Sequence, residues 1–216
     1  MLMAATGLVL FGFVVAHMLG NLQIYLGQDA LNNYSAMLKS LPELLWTARA
    51  VLLASLVAHV TTAVILTIEN KKARGTPYVF QDTVQASYAS RTMMMSGVIV
   101  LCFVVYHLLH FTFDVTNPEV CDLLDPKGRD DVYSMVVLSF RNVYISAVYI
   151  LAMIPLALHI SHGVSSLFQS LGLSNSRTRP IFTRLARGFA LLIFLGNSSI
   201  PVSVLLNVIK LPGKGA

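Results

Sequence analysis

The sequence predicts an all-α membrane protein in which five transmembrane helices form a bundle. Hydrophobic residues make up 56% of the 216 residues, only 12% are charged, and the mean hydropathy is +0.70. Soluble domains carry about 25% charged residues, so the composition excludes an ordinary soluble enzyme. Five apolar stretches follow one another along the chain, each of the roughly 20 residues or more that a helix needs to cross a bilayer. We therefore treat residues 1–216 as one transmembrane domain.

The predicted spans are separated by polar connections of different character. In order, they cover about residues 2–25, 44–68, 92–115, 140–171 and 181–211. The opening run lacks a basic leader and a small-residue cleavage site, so we interpret it as a span and not as a signal peptide. The first connection contains ALNNYSAMLKSLP, which predicts a short helix, and Trp46 is typical of a membrane interface. Pro155 predicts a kink in the fourth span.

Basic residues predict how the chain is oriented in the membrane. The first connection has Lys39 alone, and the long connection between the third and fourth spans is rich in acids. The other two connections are basic, with Lys71, Lys72, Arg74 and Arg91 in one and Arg177, Arg179, Arg184 and Arg187 in the other. Basic loops remain on the cytoplasmic side. We expect a cell inner (cytoplasmic) membrane protein with its N-terminus inside and its C-terminus outside. The net charge of +5 forms no patch for nucleic acid.

Four of the five spans carry a histidine inside their apolar sequence: His17, His59, His107 and His159. An imidazole in hydrocarbon is costly unless it has a partner. From a rise of about 1.5 Å per residue, His17 and His107 lie roughly 22–23 Å from the cytoplasmic ends of their helices, and His59 and His159 roughly 14–18 Å. The sequence therefore predicts an outer pair, His17 with His107, and an inner pair, His59 with His159.

Paired imidazoles are usual axial ligands of haem iron, and two pairs predict a bundle holding two haems. Cys102 and Cys121 form no C-x-x-C-H attachment motif, so the haems would be non-covalent haem b. A single membrane histidine is more often a packing or proton-relay residue, but four in matched layers favour haem. His110 and His162 follow two of the ligands by three residues. We interpret them as neighbours of the cofactors or interfacial residues, with ligation as the alternative.

The chain resembles the di-haem cytochrome b membrane subunit of succinate:quinone oxidoreductases and fumarate reductases. The resemblance covers nearly the whole length, and its motifs are H-x3-N at His17 and Asn21, then ALNNY and SLP, the second-helix His59, FVVYH ending at His107, and LALHISHGVSSLFQSLG around His159. It implies a flavoprotein subunit and an iron–sulfur subunit docked on the cytoplasmic face, and a quinone, usually menaquinone, as electron partner. No glutamate accompanies His159, where some family members carry one.

Other polar residues are candidates for contacts with the haems and the quinone. Haem carboxylates need charge partners, and we assign Arg91 to the inner haem and Arg49 and Arg141 to the outer one, with arginines that only set topology as the alternative. We expect the quinone near the outer haem, at Glu43, Asn21, Gln23 and His110. Glu43 is the best proton donor or acceptor, unless it is only a favourable residue at a helix N-terminus. The rival location is the inner end, at His162, Ser165 and Gln169.

Two other functions remain open. A di-haem cytochrome b of another quinone-linked respiratory complex would carry its ligands two per helix, in two layers, whereas histidines of one span here are three residues apart. A transporter with histidine proton relays would have discontinuous helices or an inverted repeat, and the sequence shows neither clearly. If the chain is instead a subunit of a succinate:quinone oxidoreductase, the dehydrogenase chemistry itself would reside on a partner subunit.

Overall fold

The computed structural model describes residues 1–73 and 88–213 of the chain. Eight α-helices follow one another in that part: α1 Leu2–Asn21, α2 Gln28–Lys39, α3 Pro42–Ala73, α4 Tyr88–Arg91, α5 Met93–Phe111, α6 Val132–Arg141, α7 Val143–Ser170 and α8 Arg179–Leu205. The described residues form no strand, only an isolated bridge between Leu124 and Asp130. Arg74, which the sequence analysis placed in a basic loop, lies outside the described residues.

Five of the helices are long and apolar enough to cross a membrane, namely α1, α3, α5, α7 and α8. This confirms the predicted fold class of an all-α membrane protein. A 3-10 helix, Leu22–Leu26, continues α1, and the segment ALNNYSAMLKSLP lies largely in α2 as predicted. Pro155 lies inside α7, which runs through it as one helix.

The bounds of the spans differ from the prediction where polar residues interrupt the apolar pattern. The fourth predicted span begins at residue 140, but Phe140 and Arg141 belong to α6. Asn142 has an extended backbone, and its side chain accepts a hydrogen bond of 3.0 Å from the Tyr144 amide, so it ends α6 and begins α7. Hydropathy alone does not reveal such a break because apolar residues lie on both sides of it.

The other spans differ by a few residues at their ends. The third ends at Phe111 instead of residue 115, and Asp114 just beyond it has a φ of 56°. The fifth runs from Arg179 to Leu205 instead of residues 181–211. Helix α3 exceeds the predicted 44–68 at both ends, because Pro42 suits a first helical turn and the polar residues up to Ala73 continue the helix.

The spanning helices associate as two neighbouring pairs with α8 beside them. Helix α1 packs on α3, α5 packs on α7, and α7 makes its largest contact with α8. Helix α1 joins the pairs by touching α7 and α8. An apolar cluster between α1, α7 and α8 includes Met18, Ile160, Val164, Ala186 and Ile193. Helix α3 is different, because none of its residues is buried.

One end of the bundle is covered by a polar cap, which consists of residues 22–41 and 112–141. Its centre is Asn32, which is fully buried. The Asn32 amide donates hydrogen bonds to Asp125 at 3.2 Å and Asp131 at 3.0 Å, and its oxygen accepts one from the Tyr133 main chain at 3.0 Å. One side chain of α2 therefore holds the loop before α6 and the first turn of α6. We call this the cap end of the bundle and the opposite end the basic end.

Ion pairs surround Asn32 on the outside of the cap. Arg129 donates to Asp125 at 2.6 Å and to Asp29 at 2.7 Å, and Lys127 donates to Asp29 at 2.6 Å. Burial alone would raise the pKa of Asp125, but hydrogen bonds from Arg129 and Asn32 hold that pKa well below its ordinary value. A carboxyl with a lowered folded pKa stabilises the fold above its unfolded pKa of about 3.9 and loses this effect as the pH falls through the folded value. The cap is therefore strongest near neutral pH.

Candidate paired-histidine site

The four predicted ligand histidines meet as two facing pairs. The ring centroids of His17 on α1 and His107 on α5 are 5.7 Å apart, with an angle of 86° between the planes. Those of His59 on α3 and His159 on α7 are 6.3 Å apart, with an angle of 62°. These are the two pairs that the helix depths predict, and each pair joins one helix of the α1–α3 pair to one helix of the α5–α7 pair. We call them the outer pair, His17 with His107, and the inner pair, His59 with His159.

The spacing of each pair suits a metal between two imidazoles. A first-row metal lies about 2 Å from an imidazole nitrogen, which is itself about 1 Å from the ring centroid, so two rings on opposite sides of one metal have centroids roughly 6 Å apart. All four histidines are half-buried. Among the described residues, no group of three or more His, Cys, Asp or Glu converges. The donor set of each pair therefore fits a metal whose remaining ligands come from a macrocycle, as in haem.

The inner pair is held by hydroxyl groups from neighbouring helices. Thr6 Oγ1 on α1 lies 3.2 Å from His59 Nδ1, and Ser96 Oγ on α5 lies 3.3 Å from His159 Nδ1. Both hydroxyl residues are buried. Each contact joins neighbouring helices within one pair, α1 with α3 or α5 with α7, whereas the facing imidazoles join the two pairs to each other.

A glycine beside each hydroxyl residue allows the inner histidines to approach closely. A Cβ added at Gly7 would lie 3.3 Å from His59 Cε1, and one added at Gly97 would lie 3.3 Å from His159 Cε1. These separations are tighter than ordinary contacts of a Cβ atom, so a larger residue would displace the imidazole. The glycines therefore determine how near each inner ring lies to its neighbouring helix.

The outer pair has an aromatic environment. The Phe13 ring stacks on His17 with centroids 5.3 Å apart, and Phe103 lies 6.0 Å from His107. The Tyr149 hydroxyl lies 3.4 Å from His107 Nδ1 and 2.8 Å from His110 Nδ1. His110 is only 1% exposed, and its Nε2 has no hydrogen-bond partner in the part of the chain that the structure describes. Tyr149 thus connects His107 of the outer pair to a further histidine, the deeply buried His110.

The two pairs lie at different levels of the bundle. Thr6, which touches His59, precedes His17 by 11 residues on α1, and Ser96, which touches His159, precedes His107 by 11 residues on α5. At about 1.5 Å per residue, the pairs are separated by roughly 16 Å along the helices, which is more than the roughly 4–9 Å that the predicted depths imply. The separation of roughly 16 Å is about half of the roughly 30 Å hydrocarbon thickness of a bilayer.

The arginines proposed for haem carboxylates are all exposed. The Arg49 guanidinium lies 4.9 Å from the centroid of Trp46, one turn earlier on α3, and Arg141 is the last residue of α6. Arg91 is in α4 at the basic end, with its guanidinium 6.0 Å from the Tyr88 ring centroid. Their assignment to haem carboxylates stays a prediction.

The quinone candidates separate into two groups at opposite ends of the bundle. Glu43 is exposed in the first turn of α3, and Asn21 and Gln23 are half-buried where α1 passes into the 3-10 helix, so these three lie towards the cap end. At the basic end, Gln169 is exposed on the last turn of α7, and Ser165 lies 3.5 Å from the Thr183 hydroxyl of α8. His162 is half-buried on α7 between this group and the inner pair.

Three hydroxyl residues that contact the histidines were missed in the sequence analysis: Thr6, Ser96 and Tyr149. A signal for the first two is present, because residues 6–18, TGLVLFGFVVAHM, resemble residues 96–108, SGVIVLCFVVYHL. Both stretches place a hydroxyl residue and a glycine at the same distance before the ligand histidine. Tyr149 gives no such signal, because its contacts with α5 arise only when α5 and α7 pack together.

The fold and the site together define the class of this protein: it is a helical membrane protein with two histidine pairs between its spanning helices. No family model matches the chain, and neither a curated protein nor a solved structure matches it. The class therefore rests on the helices and on the geometry of the pairs.

Proposed function

We propose that this chain is the membrane anchor and electron-transfer subunit of a succinate:quinone oxidoreductase or fumarate reductase, and that it carries two b haems. The observation that carries the proposal is the pair of facing imidazoles, repeated at two levels of one bundle. Packing residues or proton relays do not require two imidazoles from different helices at metal-bridging distance, twice. Binding of an iron macrocycle through two imidazoles does require it.

The histidine pairs would hold the two haems from both faces. His17 and His107 would bind the haem nearer the cap end, and His59 and His159 the haem nearer the basic end. When bound, the haems supply one-electron transfer between the two levels of the membrane. The chain would contribute two imidazoles to each iron, and it places aromatic side chains beside the outer pair, which limit access of water.

The basic end supports the proposed partners. Lysines and arginines flank α3, α4 and α8 there, namely Lys71, Lys72, Arg91, Arg179, Arg184 and Arg187. Basic flanks favour the cytoplasmic side of the inner membrane, which gives a cytoplasmic N-terminus and a C-terminus outside. A soluble iron–sulfur subunit with its flavoprotein subunit would dock at this end and supply or accept the electrons of succinate or fumarate. The quinone, menaquinone in most proteins of this kind, would react at the cap end.

Purification of the native complex tests the proposal. We expect a reduced-minus-oxidised difference spectrum of b type, two haems per chain in a pyridine haemochrome titration, and two soluble subunits that purify with the chain. Absence of any haem band would contradict the proposal and favour a transporter with histidine relays. Haem without soluble dehydrogenase subunits would favour another quinone-linked cytochrome b.

Replacement of Glu43 tests the position of the quinone. We expect Glu43→Gln to abolish succinate–quinone activity while both haems and dye-linked succinate oxidation remain, because the amide cannot exchange a proton with the quinone. The measurement compares the two activities in the same membranes. Retention of quinone activity in Glu43→Gln, with its loss in Gln169→Ala or His162→Ala, would instead put the quinone at the basic end.

A further inference from the structure

The inner histidines each meet a hydroxyl group whose own hydrogen is already engaged. Thr6 Oγ1 donates to the main-chain oxygen of Leu2 at 2.9 Å, and Ser96 Oγ donates to that of Met93 at 2.9 Å. A hydroxyl has one hydrogen and two lone pairs. Towards the histidines, Thr6 and Ser96 act as acceptors when this hydrogen stays on the carbonyl and the imidazole carries its own hydrogen on Nδ1.

From this geometry we propose that Thr6 and Ser96 are positioning residues that select one tautomer of the inner histidines, with the hydrogen on Nδ1. An acceptor at Nδ1 requires an N–H there, and a neutral imidazole with its hydrogen on Nδ1 has its free lone pair on Nε2. Both rings of the inner pair then offer Nε2 to a metal between them. This inference rests on the proposed haem binding and assigns to two further residues a role in it.

The adjacent glycines make the contact possible. Gly7 and Gly97 leave space for the Cε1 edge of His59 and His159, which a Cβ would approach to 3.3 Å. The hydroxyl and the glycine are consecutive, so one turn of helix supplies both the acceptor and the space. The imidazole is held at its Nδ1 edge in a single orientation.

The same arrangement occurs twice, which argues against a chance contact. Thr6 with Gly7 acts on His59, and Ser96 with Gly97 acts on His159, at hydroxyl–nitrogen distances of 3.2 and 3.3 Å. In the part of the chain that the structure describes, the outer pair lacks it. His107 has only a long contact of 3.4 Å with Tyr149, whose hydroxyl is nearer to His110.

The hydrogen bonds would affect the inner haem in a specific way. An imidazole that donates its Nδ1 hydrogen to an acceptor becomes a stronger electron donor through Nε2, and stronger donation favours the oxidised iron. Loss of the acceptor should therefore raise the reduction potential of the inner haem. The outer haem, about 16 Å away, should not change.

The test is a spectroscopic redox titration of the complex carrying Thr6→Val or Ser96→Ala. We expect the potential of the inner haem to rise, with the outer potential unchanged, and its affinity for haem to fall about ten-fold. Thr6→Ser and Ser96→Thr should restore both values because they keep the acceptor. Thr67→Val is the matched control, since the Thr67 hydroxyl likewise donates to a helix carbonyl, that of Ala63 at 2.7 Å.

The outcomes separate this inference from the proposed function. A wild-type complex without haem would refute the proposed function itself. If the wild type binds two haems but Thr6→Val and Ser96→Ala leave the inner potential unchanged, or shift both potentials equally, the positioning role is wrong. Selective loss of the inner haem in Thr6→Val supports the role if Thr6→Ser restores it, and contradicts it if Thr6→Ser fails as well.

Discussion

Replacement of His59 or His159 with alanine is expected to remove one of the two haems and to leave the other bound. Each haem would depend on two imidazoles that face each other, and the inner pair shares no residue with the outer pair. Removal of one imidazole would cost the haem an iron bond and the contact that orients it between the helices. A pyridine haemochrome titration should give one haem per chain in place of two.

His162, three residues after His159, provides the control. His162→Ala should retain two haems, because His162 does not face a second histidine on another helix in the described part of the chain. His17→Ala and His107→Ala should remove the other haem, and the remaining absorbance band should differ from that of the His59→Ala variant. Loss of both haems, or of neither, after replacement of His59 would contradict the assignment of separate pairs.

Replacement of His59 or His159 with alanine should also loosen α3 within the bundle. None of the residues of α3 is buried, and α3 packs chiefly on α1. A haem between His59 and His159 would connect α3 to α7, so its loss removes the main link between them. A bound haem would therefore contribute part of the stability of the bundle.

Asn32→Ala is expected to open the cap. The substitution removes two hydrogen bonds to Asp125 and Asp131 and leaves the Tyr133 amide without its acceptor, all in a buried position. Loss of hydrogen bonds to charged groups and burial of unpaired polar atoms together cost about 3 kcal/mol. Hydrogen exchange of the α2 and α6 amides should accelerate by roughly the hundred-fold that corresponds to this free energy.

Asn33, the neighbour of Asn32 in the sequence, is exposed and serves as the control. Asn33→Ala should leave exchange in the cap unchanged. Acid should act in the same direction as Asn32→Ala, because protonation of Asp125 below its lowered pKa removes its ion pair with Arg129. Normal exchange in Asn32→Ala would show that the outer ion pairs alone hold the cap.

The predicted class and the pairing of the histidines required only local properties of the chain. A spanning helix needs a minimum apolar length, and helix rise is constant, so residue number places His17 farther from the cytoplasmic side than His159. The break at Asn142 was missed because one capping side chain ends one helix and begins another without a change in hydropathy. The hydrogen bonds that the Asn142 side chain accepts from the Tyr144 and Ile145 amides outweigh the apolar pattern there.

By itself, the sequence determined the number of spans, their order and which histidines share a level, because these follow from hydropathy and a fixed rise per residue. Only the tertiary structure decided which side chains surround those histidines. Thr6 meets His59 across 53 residues of chain, Asn32 meets Asp131 across 99, and Tyr149 meets His107 across 42. Such contacts depend on the rotation of each helix about its axis and on its packing partners, and neither quantity is expressed in the apolar pattern of a single helix.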